Sequence, residues 1–328
     1  MRVFRILGIV AAVCLALVIT VLGGMLLFGK AKDPALIPGF GDQFRGVDYS
    51  DLPPLEYYRA RDGVELAYRT YLAPAAAGSQ GVAVLLHGAS DSSAGMHALA
   101  KTLAQEGITS YVPDLRGHGA NQPHGDIRYP GQLDDDLIDL VRQMRPKHPQ
   151  AQWTLVGFSA GGGFALRVDG GPQGDLFDRY LLLAPGLRYD APTSRPLSAS
   201  AARRFVAPYT GRLIAVSVLH GVGVHWFDGL PVLAFAVPVD SQRFTARYST
   251  RLLENFSPHQ DYLADIRNIH KPTVVLAGTN DEFILAEKIE PVFHSQRKDM
   301  AITILPGLNH LDLVTSPEAM RAIRAVMR

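Results

Sequence analysis

Trp153-Thr154-Leu155-Val156-Gly157-Phe158-Ser159-Ala160-Gly161-Gly162-Gly163 is the stretch from which the rest of the chain can be read. An apolar run, Trp153 to Val156, enters it, and a helix-compatible run, Phe164-Ala165-Leu166-Arg167, leaves it. Gly157-x-Ser159-x-Gly161 matches the pattern of a nucleophile elbow: strand, sharp turn, helix, with the serine at the tip. The reason for the glycines is steric. The turn holds the serine in a strained conformation, and bulky side chains two residues to either side would strike the neighbouring strand or helix. A helix beginning just after the serine points its free N–H groups at any anion formed there.

Working outward, strands and helices alternate. Gly81–Leu86, Ile108–Pro113, Tyr180–Ala184 and Pro272–Ala277 are short apolar runs of the kind buried on both faces of a sheet. Ala301–Leu305 is a further short strand. Ala94–Gln105, Leu133–Met144, about Leu285–Gln296 and about Pro317–Met327 read as helices between or after them. Leu55–Ala60 and Val64–Leu72 flank Asp62-Gly63 and predict a hairpin. This rhythm implies right-handed crossovers and a mostly parallel sheet, an α/β fold. It breaks between residues 187 and 271, too long a gap for an ordinary loop. That segment is expected to be a largely helical cap inserted over the sheet. Its apolar middle, Leu213–Leu219 and Val222–Val239, is interrupted by His220, His225, Asp228, Pro231 and Pro238, which argues against a second membrane span. A cap core is the plain reading; a pocket for an acyl chain, or a surface touching a bilayer, is the sharper one.

A serine hydroxyl needs a base, an acid behind the base, and N–H donors for the oxyanion. The strand Ala301–Leu305, a Pro306-Gly307 turn and then His310 supply the base. His118 and His124 precede the serine in a loop, His220 and His225 lie in the cap, and His270 precedes a strand, so each is a weaker candidate. Gly278-Thr-Asn-Asp281, at the exit of Pro272–Ala277, supplies the acid. Asp312 is too close in sequence to His310 to grip its ring. The order Ser159, Asp281, His310 is the chain order of α/β-hydrolase triads. The oxyanion donors are expected to be the backbone N–H groups of Ala160 and, in the His87-Gly88-Ala89 turn, of Ala89. His87 is read as holding that turn.

With these residues in place, the chain resembles the α/β-hydrolase superfamily. Within it, the chain is similar to the group of monoacylglycerol lipases, lysophospholipases and serine-aminopeptidase-like proteins. The shared features are His87-Gly88, Asp114-Leu-Arg-Gly-His-Gly119, Gly157-Phe-Ser-Ala-Gly-Gly162, Gly278-Thr-Asn-Asp281 and His310, from about Leu55 to the C-terminus. The resemblance implies the α/β-hydrolase fold and hydrolysis of an ester, thioester or amide through an acyl-serine. Two positions depart from the group: Phe158 where histidine is frequent, and Asn121 where serine is frequent.

The N-terminal run Ile6–Phe28 carries no charge and is long enough to cross a bilayer, which takes about 20 apolar residues. It exceeds the ~7–15-residue core of a cleavable signal and is followed by no Ala-x-Ala site, so an anchor is favoured over a cleaved signal peptide. Arg2 and Arg5 before it, against Lys30 and Lys32 after it, leave orientation nearly balanced. We favour an inside N-terminus and an extracytoplasmic catalytic domain. Expected organisation is therefore residues 1–30 anchor, 31–54 Pro/Gly-rich linker, 55–186 and 272–328 hydrolase core, and 187–271 cap. The 328 residues carry 32 basic and 31 acidic side chains, so no basic surface for nucleic acid is indicated. Cys14 is the sole cysteine and forms no intrachain disulfide. There is no His-Glu-x-x-His, no paired-cysteine zinc motif and no phosphate-binding loop, so neither a metal nor another cofactor is expected in the chemistry. Together these features point to a single-pass membrane serine hydrolase acting on a small or lipid-like carboxylic ester. The alternatives are a peptidase or amidase on the same triad, and a non-catalytic binding protein of the same fold.

Overall fold

Strand-forming runs here are short and apolar, and one strand cannot hide both faces alone. In the computed structural model they are stacked into one sheet flanked by helices. It describes residues 2–36, 46–74, 81–196, 205–239 and 241–327. Pro38, Gly39 and Gly41 of the expected linker lie outside the described residues.

The elements run as follows. Helix α1 (Arg2–Phe28) precedes the hairpin β1 (Glu56–Arg59) and β2 (Glu65–Tyr71). Then come β3 (Gly81–Leu86), α2 (His97–Gln105), β4 (Ile108–Pro113), α3 (Gln132–Met144), β5 (Trp153–Phe158), α4 (Ala160–Asp169) and β6 (Arg179–Leu183). The insertion holds β7 (Val206–Pro208), α5 (Thr210–Gly221), β8 (Pro231–Phe235), β9 (Arg247–Ser249), α6 (Thr250–Asn255) and α7 (Tyr262–Asn268). Strand β10 (Thr273–Gly278), α8 (Ala286–His294), β11 (Ala301–Leu305), α9 (Asp312–Thr315) and α10 (Pro317–Met327) complete the chain.

Eight strands form one sheet in the order β1-β2-β4-β3-β5-β6-β10-β11. Only the β1–β2 and β2–β4 pairings are antiparallel; β4, β3, β5, β6, β10 and β11 are parallel neighbours in that order. Every residue of β3, β4 and β5 is buried, as their unbroken apolar runs require. Parallel strands bring their C-terminal ends to one edge, and that edge collects the turns after β3, β5, β6, β10 and β11.

Two elements differ from expectation. The helix predicted from Ala94 starts as a tight 3-10 turn, Ser93–Met96, whose Ser93 N–H donates to the Asp114 carboxylate at 2.7 Å. The cap has its helices but also a three-stranded antiparallel sheet, β7-β8-β9. Two of those strands are three residues long, too short to carry a period of their own.

Helix α1 is exposed along most of its length, but its C-terminal end is built into the cap. Leu26 packs with Ala215, Val216 and Val232, with Leu22 and Met25 beside them. The Arg212 guanidinium donates to the carbonyl of Leu26 at 3.1 Å and to that of Pro231 at 3.0 Å. The first of these fills one of the four carbonyls that a helix end leaves without an internal donor. Gly29 and Gly211 permit this approach: a Cβ on Gly29 would lie 2.6 Å from the Arg212 nitrogen. Asp33, just beyond, takes hydrogen bonds from Tyr209 and Arg247. Helix α5, with twelve residues, is too short to cross a bilayer.

Candidate active site

Ser159 stands between β5 and α4 with φ +55° and ψ −117°, a conformation that side-chain-bearing residues rarely adopt. Its N–H donates to Leu183 O at 2.9 Å, and its carbonyl accepts from Gly163 and Gly186 at 3.0 and 2.8 Å. These three bonds hold the turn in place. The glycines on either side are needed for close approach. A Cβ on Gly157 would lie 2.2 Å from Gly161 O, and one on Gly161 would lie 2.5 Å from His87 O.

Asp281 follows β10, and His310 follows β11. The two strands are parallel neighbours, with Gly278 opposite Leu305, so their exit turns lie side by side. Asn280 N–H donates to Leu308 O at 3.0 Å, and Gly307 N–H to Thr279 Oγ1 at 2.8 Å. His310 Nδ1 lies 2.6 Å from Asp281 Oδ2. Asp281 is wholly buried and His310 nearly so. The other carboxylate oxygen, Oδ1, accepts from the N–H groups of Phe283 and Ile284, both at 2.8 Å. Burial opposes ionisation of Asp281. The facing His310 and these hydrogen bonds outweigh it and hold the carboxyl below the usual carboxylate range. A carboxylate only accepts, so it selects the His310 tautomer protonated on Nδ1 and leaves Nε2 with a lone pair. Asp312 instead accepts from Asn309 N–H at 2.7 Å, at the start of α9.

The turn after β3 lies against the elbow: a Cβ on Gly88 would be 3.3 Å from that of Ser159. Among the described residues, neither the Ala89 nor the Ala160 N–H donates to another protein group. His87 is buried, with Nδ1 2.9 Å from Gly88 O and Nε2 accepting from Leu115 N–H at 3.1 Å. Burial lowers its pKa, so it serves as a neutral brace between the turns after β3 and β4. Asp114, Arg116 and His118 brace the second of these turns. Asp114 accepts from Ser93 and Ala120, and Arg116 pairs with Asp136 through two 2.8 Å bonds. Asn121 accepts from Ala67 N–H at 2.9 Å and donates to Asp114 O at 2.6 Å.

Sequence reasoning passed over Tyr248 of β9. Its hydroxyl accepts from Ser90 N–H at 2.6 Å and lies 2.5 Å from His118 Nε2. Thr245 N–H donates to Ser90 O at 2.8 Å. Ser90 has φ +69°, so the cap grips a strained residue next to Ala89. An aromatic chain runs from the dyad into the cap. Phe158 and Phe283 lie 4.8 and 5.0 Å from the His310 ring, Phe205 lies 5.5 Å from Phe283, and Phe235 lies 5.7 Å from Phe205. No local motif marks Tyr248 or Phe205, whose contacts come from distant parts of the chain.

Sheet order, elbow and strand-exit dyad define an α/β hydrolase. The pattern of the serine aminopeptidase, S33, family (Hydrolase_4) matches residues 77–314, and the chain belongs to that family. Its fold is similar to that of a soluble variant of monoglyceride lipase from Saccharomyces cerevisiae, solved with a substrate analogue. The TM-score is 0.63 at 17% identity, over 85% of this chain and 94% of that one. A monoacylglycerol lipase from Paleococcus ferrophilus is similar at TM-score 0.58 and 18% identity, over 80% and 97%. The enzyme E-2-(acetamidomethylene)succinate hydrolase follows at 0.54 and 18%, over 83% and 98%. No curated protein sequence matches the chain.

Proposed function

We propose that this chain is a membrane-anchored serine hydrolase of carboxylic esters with apolar acyl groups, of the monoacylglycerol or lysophospholipid type. The observation that carries the reading is the 2.6 Å contact between His310 and the buried Asp281, at the sheet edge where β5 delivers the strained Ser159. In this reading Ser159 Oγ attacks the ester carbonyl while His310 Nε2 takes its proton. Asp281 stays ionised, fixes the ring and stabilises the imidazolium. The N–H groups of Ala89 and Ala160 take the charge that develops on the carbonyl oxygen, each worth about 3 kcal/mol in the transition state. The tetrahedral adduct collapses to an acyl-serine as His310 gives its proton to the leaving alcohol. Water, deprotonated by the same histidine, then releases the acid and restores Ser159.

The aromatic chain from His310 through Phe283 to Phe205 and Phe235 favours an apolar acyl group over a charged one. The family description favours a second reading, cleavage of an aminoacyl amide by the same groups. Anchorage is supported by the docking of Leu26 into the cap, a contact that cleavage after α1 would destroy. One experiment separates the readings of the reaction: kcat/KM for p-nitrophenyl esters from acetyl to decanoyl, beside aminoacyl p-nitroanilides, in wild type and Ser159→Ala. The expected result is a rise from acetyl to medium chains, low amide turnover, and loss of hydrolysis in the variant. A profile peaking at acetyl, a preference for the amides, or full activity in Ser159→Ala each overturns the corresponding part.

A further inference from the structure

Away from the catalytic edge, the end of α5 and the turn that follows it bring three metal-ligating side chains together. His220 Nδ1 and His225 Nδ1 lie 3.0 and 3.1 Å from one oxygen of Asp228, Oδ2, and 3.1 Å from each other. The three atoms form a nearly equilateral triangle. Hydrogen bonding alone serves this triangle poorly. If both nitrogens carry protons, two N–H groups converge on one oxygen from adjacent directions and crowd each other. If either lacks its proton, its lone pair faces a carboxylate oxygen that cannot donate. Perpendicular packing of the rings, with centroids 4.4 Å apart at 84°, brings both Nδ1 atoms to one point rather than stacking the faces.

A second observation concerns the other oxygen of Asp228. The residue is 94% buried, at 6% relative exposure, and its Oδ1 has no hydrogen-bond partner among the described residues. A buried carboxylate oxygen without a donor is costly unless a cation sits beside the group.

We propose that His220, His225 and Asp228 form a binding site for a divalent transition-metal ion of the zinc class. Two imidazoles and one carboxylate suit zinc, copper, nickel and iron rather than magnesium or calcium, which prefer oxygen. Three ligand atoms about 3 Å apart match the separation in a tetrahedral zinc site with ligands at about 2.0–2.1 Å, leaving one position for water or another donor. The ion would tie the C-terminal end of α5 to the turn that leads into β8. Since α5 packs on the end of α1, the clip would brace the cap where it meets the anchor. It takes no part in the ester chemistry.

The test uses untagged full-length protein in detergent, stripped with a chelator and titrated with Zn²⁺ by calorimetry and with Co²⁺ by visible absorption. Wild type should bind one equivalent of Zn²⁺, give a Co²⁺ ligand-field band, and melt at a higher temperature with Zn²⁺ than without. His225→Gln, at a side chain more than half exposed, should lose the band, and Asp228→Asn should weaken binding by more than the ~10–100-fold that loss of an outer partner costs. Melting of metal-free His225→Gln at the wild-type temperature would show that the variant folds. Absence of saturable binding by wild type, or one-equivalent binding that survives in His220→Ala/His225→Ala, would overturn the proposal.

Discussion

Asp169 illustrates how one buried group couples stability to pH. It closes α4 and is wholly buried; Thr273 Oγ1 donates to its Oδ2 at 2.6 Å, while Oδ1 has no partner among the described residues. Burial pushes its pKa up from 3.8 to about 7, against the opposing effect of the Thr273 hydrogen bond. Between those values the folded chain keeps a proton that the unfolded chain has released. Stability from this group is therefore fully present below pH ~4 and falls as pH rises to about 7. Asp169→Asn removes the titration. Its melting temperature relative to wild type should climb by a few degrees between pH 5 and pH 8. An offset that stays constant over that range would contradict the assignment. Asp281, equally buried, goes the other way because His310 and two backbone N–H groups face it. The sequence marks Asp281 by its place at a strand exit and Asp169 by none, but it does not show that their ionisation shifts in opposite directions. Their opposite behaviour follows from partners supplied by other strands.

Among the elements, β9 has an effect beyond its three residues. Through Tyr248 it reaches Ser90 and His118, so the cap strand and the turn bearing Ala89 are one hydrogen-bonded unit. Tyr248→Phe should leave the Ser90 N–H without its partner, costing about 1–3 kcal/mol of stability. Because that N–H adjoins Ala89, kcat should fall roughly 10- to 100-fold with KM little changed, as expected for a small displacement of the oxyanion donor proposed above. A variant that lost stability but kept its kcat would limit Tyr248 to a structural part. The parallel strands were legible because each is a short apolar run, and the helices because their apolar residues recur at helical spacing. Strand Ile108–Pro113 and helix Pro317–Met327 match their predicted limits. The cap sheet was not legible: β7 and β9 are stabilised by pairing with β8, and that pairing joins residues far apart in the chain.

Over the whole molecule, the C-terminal end of α1 and the cap form one packed unit. A helix of 27 residues spans about 40 Å, against a hydrocarbon core of about 30 Å, so the anchor proposed above leaves its last two turns free to dock on α5. Val218, Val222 and Trp226, on α5 and the turn beyond it, are exposed apolar side chains beside this docked end, and the proposed anchorage puts them near the bilayer surface. On this reading, protein extracted from membranes retains residues 2–28 by intact mass. A mature N-terminus beyond Phe28 would instead mark a cleaved signal. By itself the sequence determined the alternation of strands and helices, the elbow at Ser159 and the order of Ser159, Asp281 and His310. Those are local: periodicity, turn chemistry and position at strand ends are written in neighbouring residues. Only the tertiary structure decided that β10 and β11 lie side by side and set Asp281 2.6 Å from His310. It also decided that Tyr248 grips the Ala89 turn, that Leu26 seats in the cap, and that His220, His225 and Asp228 converge. Such contacts depend on burial and on pairing between distant segments, and no window of sequence contains both partners with the geometry that joins them.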